Sequence, residues 1–547
     1  MMKNLSLFIC LGLFSLCFSC PVFAEDLFDQ AMDLYLEGQY SQARQALLDF
    51  VSTHPSDENL QHARYQSILT LFNLEDYAGF QQEASQYIAQ YPEDSFVPYL
   101  IYYQAMADRK QGDLAKAEER LESIRRLYPD SENVHEAAYQ LAQVYAQEGR
   151  MAEAIQEFQT YLLNYPSAAY VKESQYLLAY CYDQIEDWPN AIAAYGVIVS
   201  ASTSHPMFQD AQRRLASTYC RSGQNQQAID LFRNHIAMFP EDAEAHYGLI
   251  IALDIAGDPA DVVQDASAFL SHFGDQNQFA SDIRLKKGVA SLRLSQTGEA
   301  VEAFDQFVAS ASETGEAGDA LYLKAFALWE QGERDRAVEV LERLPSDYPD
   351  SLTATEVNQL LGRILVGRGI DNSFNESLKD TAQVDLDRGR AMLREYLEAT
   401  ASAVVEASTP GEDPLVRRTR ILRFEALEVL QDYAQLHREL NLFTLPAQAT
   451  LEWGEVMLWR GICLCEGPLQ DLEGAAAAFQ MIVNSQLQDT RLLRHLPTMA
   501  LYWLIHVEEK RGNQDAMRTW LTVLRDQMPD SRTRTQALER YASVMEQ

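Results

Sequence analysis

The sequence predicts an all-α solenoid, in which antiparallel helix pairs stack in a row and each pair contacts only its neighbours. Two periodic patterns and the composition predict this fold class. Five prolines lie on one 37-residue spacing, since consecutive members differ by 37, 37, 37 and 74 positions: Pro55, Pro92, Pro129, Pro166 and Pro240. Small residues recur at fixed distances before these prolines, which is typical of helices that approach closely. Hydrophobic residues make up 47% of the 547 positions, which is enough for a packed core.

The first helix of each unit is marked by a small residue and a glycine. When each repeat is numbered so that its proline is position 32, position 8 is small in five of the six regular copies. These six residues are Ala31, Ile68, Ala105, Ala142, Ala179 and Ala216. Position 15 is a glycine in four copies, namely Gly38, Gly112, Gly149 and Gly223. We expect these glycines to end the first helix in the left-handed conformation.

The second helix carries a small residue at position 20 and a bulky residue at position 24. Position 20 is Ala43, Phe80, Ala117, Ala154, Ala191 and Ala228, and position 24 is Leu47, Ala84, Leu121, Phe158, Tyr195 and Phe232. The second copy exchanges the two sizes, which conserves the buried volume. Turns such as Tyr91-Pro92-Glu93 follow the second helices. Each unit is therefore predicted to be a helix, a short turn, a second helix and a proline turn.

These positions resemble the tetratricopeptide repeat (TPR), whose signature has small residues at positions 8 and 20, an aromatic residue near 24 and proline at 32. The 37-residue spacing and the aromatic-proline-acid ending resemble the repeats of bacterial envelope proteins, namely the Tol–Pal-associated periplasmic TPR protein and the TPR lipoprotein of the β-barrel assembly machinery. The resemblance implies antiparallel helix pairs stacked into a right-handed superhelix. It also implies a concave groove that holds partner proteins or peptides.

The spacing becomes irregular after Pro240. We expect a regular array over residues 25–245, further TPR units over residues 246–366, and degenerate units over residues 367–547. Pro349 and Pro529 are 180 residues apart, which fits four units of about 45 residues if some hold insertions. Residues 367–385, which are polar, and residues 401–414 are the predicted insertions. The whole chain then holds about thirteen units, and residues 533–547 form a terminal capping helix.

Residues 1–24 have the pattern of a secretory signal peptide. Lys3 precedes an uncharged apolar run over residues 5–18, and Val22-Phe23-Ala24 supplies small residues for cleavage after Ala24. A retained anchor is the first alternative, although the run is shorter than the ~20 residues of a spanning helix. Lipidation at Cys20 is the second alternative, and it would place the protein at the outer membrane. The main prediction is an exported, periplasmic protein that begins at Glu25.

Charge and cysteine content exclude two classes of protein. The formal net charge of −36 and the pI of about 4.6 argue against a nucleic-acid binder, because such proteins need a basic surface. The four cysteines after the signal peptide are Cys181, Cys220, Cys463 and Cys465, too few for a disulfide framework. We expect Cys181 and Cys220 to be packed thiols, and a bridge between them in neighbouring repeats is the alternative.

Catalytic and cofactor motifs are absent from the sequence. There is no P-loop, dinucleotide-binding, nucleophile-elbow or zinc-protease pattern, and the ten histidines are scattered. Pairs of carboxylates are so frequent that they are best interpreted as solvated helix faces. We therefore predict no catalytic residue, no cofactor and no metal ion.

The candidate binding residues lie at positions 5, 9 and 12 of the first helices. Their i, i+4, i+7 spacing puts them on one stripe, which faces the concave groove in the TPR fold. The candidates for protein binding are Tyr65, Phe72, Tyr102, Arg109, Tyr139, Tyr176, Tyr180, Arg213, Tyr322 and Trp329. Tyrosine and tryptophan are enriched at binding hot spots. The alternative is that the tyrosines pack between adjacent first helices, and one ring could do both.

These observations predict a non-enzymatic, exported scaffold that binds protein or peptide partners of the cell envelope in the groove. The acidic charge favours a basic or neutral partner segment. A peptidoglycan- or glycan-binding envelope protein is one alternative, with the tyrosines as the stacking surface. A non-catalytic subunit of an envelope enzyme complex is the other.

Overall fold

The computed structural model describes residues 24–201, 203, 205–311, 315–349, 351, 353, 356–404, 413–442, 451–485, 496–528 and 532–545. Throughout these ranges the regular structure is helical and contains no strand. The predicted all-α solenoid is therefore confirmed. Nearly all of the predicted signal peptide, with the alternative lipidation site Cys20, lies outside the described residues.

The chain divides into two compact units, residues 1–223 and residues 224–547. The helices of unit 1 are α1 (Ala24–Leu36), α2 (Tyr40–Thr53), α3 (Leu60–Asn73), α4 (Tyr77–Gln90), α5 (Val97–Lys110), α6 (Leu114–Leu127), α7 (Val134–Gln147), α8 (Met151–Asn164), α9 (Val171–Gln184), α10 (Trp188–Ala201) and α11 (Phe208–Arg221). Odd-numbered helices are the first helices of the repeats, here called A helices, and even-numbered ones are the second, or B, helices.

Unit 2 continues the alternation. Its helices are α12 (Asn225–Met238), α13 (Ala243–Ala256), α14 (Pro259–Phe273), α15 (Ala280–Arg293), α16 (Thr297–Ser310), α17 (Gly315–Glu330), α18 (Arg334–Asp347), α19 (Val357–Asn372), α20 (Lys379–Ala399), α21 (Pro414–Val429), α22 (Tyr433–Asn441), α23 (Leu451–Glu466), α24 (Leu472–Asn484), α25 (Leu496–Arg511), α26 (Gln514–Gln527), α27 (Arg532–Arg540) and α28 (Ala542–Met545). Within the described ranges the helices alternate from α1 to α26, with five A–B pairs inside unit 1 and seven inside unit 2, while α11 and α12 stand on either side of the division. Thirteen A helices are thus each followed along the chain by a B helix, which agrees with the predicted number of about thirteen, and four of these A helices lie between Pro349 and Pro529.

The signature positions form the cores of the pairs. In unit 1 the alanines at positions 8 and 20 are fully buried, and Phe158 at position 24 of the fourth copy fills the space beside Ala154 and Ala142. The exchanged pair of the second copy, Phe80 and Ala84, is also fully buried. Within each unit, a B helix contacts its own A helix and the A helix of the next repeat, and some consecutive A helices also contact one another, as α3 contacts α5 and α23 contacts α25.

The turn between the two helices of a pair requires a left-handed residue. Gly149 has a φ angle of +76°, and the glycines at the same position of the other copies have similar values. Where the glycine is missing, a larger residue adopts the same conformation: Glu75, Glu186, Ser295, Gln431 and Gln470 have φ angles between +46° and +61°. The predicted left-handed helix end is confirmed, and the fold requires it even without glycine.

The extra residues predicted at 367–385 are present, and most of them are helical. These residues form the end of α19, a short connection with a 3₁₀ turn at Glu376–Leu378, and the first turns of α20, which is 21 residues long. The two helices are closely packed, because a Cβ atom on Gly389 would lie 2.7 Å from the carbonyl oxygen of Gly362. The extra residues therefore lengthen two helices, and the polar composition belongs to the exposed face of α20.

The second predicted insertion, residues 401–414, and the predicted capping helix, residues 533–547, each differ in part from the prediction. Residues 401–404 form a 3₁₀ turn, and residues 405–412 lie outside the described structure. Two short helices, α27 and α28, stand where one capping helix is predicted. Tyr541 between them is 3% exposed, and its hydroxyl donates a hydrogen bond to Glu509 on α25 at 2.9 Å.

The four described cysteines are free thiols, so Cys181 and Cys220 form no disulfide bridge. Burial raises the pKa of the Cys181 thiol to about 11. A search of the described helices for one that is both long and apolar enough to cross a bilayer finds none.

Candidate binding surfaces

Three of the predicted groove tyrosines are deeply buried by neighbouring repeats. Tyr65, Tyr139 and Tyr322 are 7%, 6% and 6% exposed. The ring of Tyr65 stacks on Phe96 with centroids 4.6 Å apart, and the ring of Tyr139 stacks on Tyr170 at 4.4 Å. Phe96 and Tyr170 are the residues immediately before α5 and α9, the next A helices. One face of the Tyr65 ring and one face of the Tyr139 ring are therefore covered by the residue that precedes the next A helix.

Phe72, Tyr102 and Arg109 are half-buried on the A helices α3 and α5. The Phe72 ring meets Tyr103 edge-on, with centroids 5.1 Å apart. The Arg109 Nε atom donates to the Gln147 Oε1 atom at 2.8 Å, and its Nη1 atom donates to Gln140. Arg109 thus joins the consecutive A helices α5 and α7, and the side chain of Tyr102 on α5 is partly exposed.

The remaining candidate binding residues of unit 1, Tyr176, Tyr180 and Arg213, lie around the Asp210 carboxylate on α11. The Tyr176 hydroxyl and the Arg213 guanidinium each donate to its carboxylate, and the Arg214 Nε atom donates to Oδ2 at 2.8 Å. Although burial opposes it, the hydrogen bonds from Tyr176 and Arg214 and the charges of the two arginines lower the pKa of Asp210. Arg214 also lies over the ring of Tyr180, 5.3 Å from its centroid. Tyr180 and the two arginines therefore form one half-exposed aromatic and polar patch.

A cavity of about 700 Å³, here called the turn cavity, lies between two proline turns of unit 1. Its wall combines the turns that contain Pro92 and Pro129 with four aromatic rings and four carboxylates. These residues are Tyr65, Phe96, Tyr99, Tyr128, Glu93, Asp94, Asp130 and Glu132. The Tyr99 hydroxyl donates to Glu132 Oε2 at 3.1 Å. No lysine or arginine is among its described lining residues, so the cavity is acidic as well as aromatic.

Unit 2 contains a second cavity, of about 250 Å³, which is lined by A helices from α17 to α27. Here it is called the tryptophan chamber. Its defining residues are Trp329, Trp459, Trp503, Glu330, Arg363, Glu425 and Glu428. The candidate Trp329 is thus part of a pocket, and the candidate Tyr322 is buried two turns before it on α17.

Arg363 shows how the chamber holds a positive charge. Its guanidinium carbon lies 4.9 Å from the centroid of the Trp329 ring, within cation–π distance. Its Nη1 atom donates to Glu425, whose side chain is 2% exposed. Gln359 donates to the same carboxylate at 3.0 Å. Burial raises the pKa of the nearby Glu428 carboxyl, because the chamber excludes most of the water that would stabilise the charge.

One group in the described residues has the composition of a metal site. Cys465, Glu466 and His506 place possible ligand atoms within 4.8 Å of one another. The Lys510 ammonium lies 2.6 Å from Glu466 Oε1, and the Cys465 thiol, whose pKa burial raises to about 12, donates to the same oxygen. An ammonium and a protonated thiol already satisfy this carboxylate. The group is therefore a hydrogen-bond network that joins α23 to α25.

Sequence reasoning missed both cavities. The repeated aromatic-proline-acid turns could have predicted the turn cavity, since copies of one turn in adjacent repeats must lie side by side. No sequence pattern could have predicted the tryptophan chamber, because its lining residues come from positions as far apart as Phe326 and Gln536.

Comparisons with known proteins identify the repeats. Residues 22–111 and 98–243 match the YfiO family of outer membrane lipoproteins, and residues 319–351 match a tetratricopeptide-repeat family. The first match ends near residue 245, where the regular array is predicted to end. No curated protein matches the chain.

Among solved structures, a tetratricopeptide repeat protein from Parabacteroides merdae is 15% identical, with a TM-score of 0.33 over 48% of this chain and 96% of its own. Human IFIT1, solved as a dimer with m7Gppp-AAAA, is 13% identical, with a TM-score of 0.39 over 79% of this chain and 94% of its own.

Proposed function

Since the chain is a tetratricopeptide-repeat protein whose residues 22–243 are similar to outer membrane lipoproteins, we propose that it is a non-enzymatic scaffold of the bacterial cell envelope. It binds protein partners through surfaces on its A helices and proline turns. The family match is the observation that carries the envelope assignment. The acidic and aromatic turn cavity supports a partner segment that is basic or neutral, because an acidic one would be repelled.

The proposal includes export to the periplasm and cleavage after Ala24. Intact-mass analysis of the protein from envelope fractions gives a direct answer. An N-terminus at Glu25 in the soluble periplasmic fraction is expected. A diacylated or triacylated Cys20 would move the protein to a membrane face, and recovery of the unprocessed chain from the cytoplasm would overturn the envelope assignment.

We propose that the half-exposed candidates, such as Tyr102 and Tyr180, bind the partner, because part of each side chain is not covered by packing within the protein. We expect the double variant Tyr102→Ala/Tyr180→Ala to weaken partner capture from envelope extract by ~2 kcal/mol or more. The matched variant Tyr139→Ala/Tyr322→Ala removes two deeply buried rings that line neither cavity, so it should mainly lower the melting temperature. Unchanged capture by the first variant would exclude these tyrosines from the binding surface. Capture of purified sacculi by the wild type would favour the glycan-binding alternative instead.

A further inference from the structure

The tryptophan chamber carries an excess of negative charge within aromatic walls. Its described lining holds three carboxylates, Glu330, Glu425 and Glu428, against the single guanidinium of Arg363, a formal net charge of −2. Three of the six tryptophans of the chain line the same cavity. Tryptophan faces and carboxylates together form the environment that proteins use to bind organic cations.

Arg363 uses only part of this environment. It occupies the face of Trp329 and the carboxylate of Glu425. Trp459 on α23 and Trp503 on α25 lie on other walls of the chamber, as does Glu428 on α21. Within the part of the chain that the structure describes, the Glu428 carboxylate makes no hydrogen bond and no ion pair. Glu428 is only partly exposed, and the charge of Arg363 acts on it from the same lining. A carboxylate that is incompletely solvated is stabilised further when a second cation reaches it.

We infer that the tryptophan chamber is a binding site for a lysine or arginine side chain of a partner protein, held beside the Trp503 ring by the Glu428 carboxylate. The cavity volume of about 250 Å³ admits one long side chain but no folded element. The peptide backbone that bears the side chain would then lie along the A helices. This inference rests on the proposed scaffold function and names the chemistry of one anchor residue.

The test uses the full mature protein and the probe Ac-Gly-Arg-Gly-amide, with tryptophan fluorescence as the readout. We expect saturable quenching that weakens as salt rises, and no effect from the neutral probe Ac-Gly-Gln-Gly-amide. In Glu428→Gln the dissociation constant should rise about tenfold, because one close charge partner is lost. In Trp503→Phe a smaller rise is expected, since phenylalanine is a weaker cation–π partner.

The matched control is Glu473→Gln on α24, which makes the same charge change at an exposed position outside the chamber. It should bind the arginine probe as the wild type does. Equal affinity of Glu428→Gln and wild type, or equal binding of the glutamine probe, would overturn the inference. Tighter binding of spermidine than of the arginine probe would show that the chamber takes a free polyamine and would overturn the assignment to a partner side chain.

These outcomes are separable from a failure of the proposed function. If the chamber does not bind the arginine probe while Tyr102 and Tyr180 remain necessary for partner capture, only the chamber assignment fails. If the probe binds but no envelope protein is captured, the scaffold function fails and the cation site remains.

Discussion

The turn between the two helices of a pair requires one residue in the left-handed conformation, and the type of that residue affects the stability of the repeat. Glu186 lies between α9 and α10 with a φ angle of +60° and an exposed side chain. A non-glycine residue costs roughly 1–2 kcal/mol in this region because its Cβ atom crowds the next carbonyl oxygen. Glu186→Gly should therefore raise the free energy of unfolding by about 1 kcal/mol, measured by urea denaturation.

The reciprocal change is Gly149→Ala, at the same repeat position and with a φ angle of +76°. No atom lies within 4 Å of the added Cβ, so only backbone strain is introduced. We expect a loss of about 1 kcal/mol. If both variants changed the free energy of unfolding in the same direction, Glu186 and Gly149 could not occupy the same left-handed turn position.

Glu428 links stability to pH through its carboxyl group. Burial raises the pKa of this group, while Arg363 opposes the shift. A raised pKa in the folded state means that folding is favoured below the unfolded pKa and loses stability as pH rises through the folded pKa. Glu428→Gln should therefore have a higher urea midpoint than the wild type at pH 7.5, and the difference should shrink towards pH 4. A difference that grows as the pH falls would contradict a raised pKa of the Glu428 carboxyl in the folded state.

At the scale of elements, glycines on A helices allow close contact with phenylalanines of neighbouring B helices. A Cβ atom on Gly461 of α23 would lie 2.5 Å from the Phe479 ring of α24, and Gly248 and Gly288 meet Phe232 and Phe304 in the same way. Gly461→Ala should reduce the free energy of unfolding by ~1–3 kcal/mol, because the helices must separate.

Gly367 provides the contrast, since it lies within α19 and has open space where a Cβ would stand. Gly367→Ala should be stabilising by up to ~1 kcal/mol through helix propensity alone. Thermal unfolding of both variants tests the contact. Equal effects of the two changes would show that the Phe479 ring moves aside without cost.

The helices were predictable from the sequence wherever the repeat period was intact. Small residues such as Ala154 specify close contacts that recur every 37 positions, so one pattern fixed both the helix type and its partner. The period fails at α19 and α20, where the helices are longer and the exposed face of α20 has the composition of a loop. The stacking of Tyr65 on Phe96 agrees with the alternative that the tyrosines pack between adjacent A helices. The partner ring itself was not predictable, because the aromatic residue before an A helix is absent from several copies.

At the scale of the whole molecule, a solenoid predicts that damage stays local, because repeats are stabilised mainly by their nearest neighbours. Ala154 is fully buried on α8, so Ala154→Trp must push α8 away from the helices beside it. Hydrogen exchange should show faster exchange in α7, α8 and α9, with α17 and α18 unchanged. Uniform loss of protection along the chain would contradict the repeat-wise architecture.

The central claim is that partners bind the A-helix surfaces. Site-specific photo-crosslinking in the cells that produce the protein tests it most directly. The crosslinker would replace the half-exposed Tyr102 or Tyr180 on A helices, or the exposed Gln86 or Gln156 on the B helices α4 and α8. We predict adducts with the same envelope protein from both A-helix positions and none from the B-helix positions. Adducts of equal yield from the B-helix positions, or none from the A-helix positions, would contradict the account.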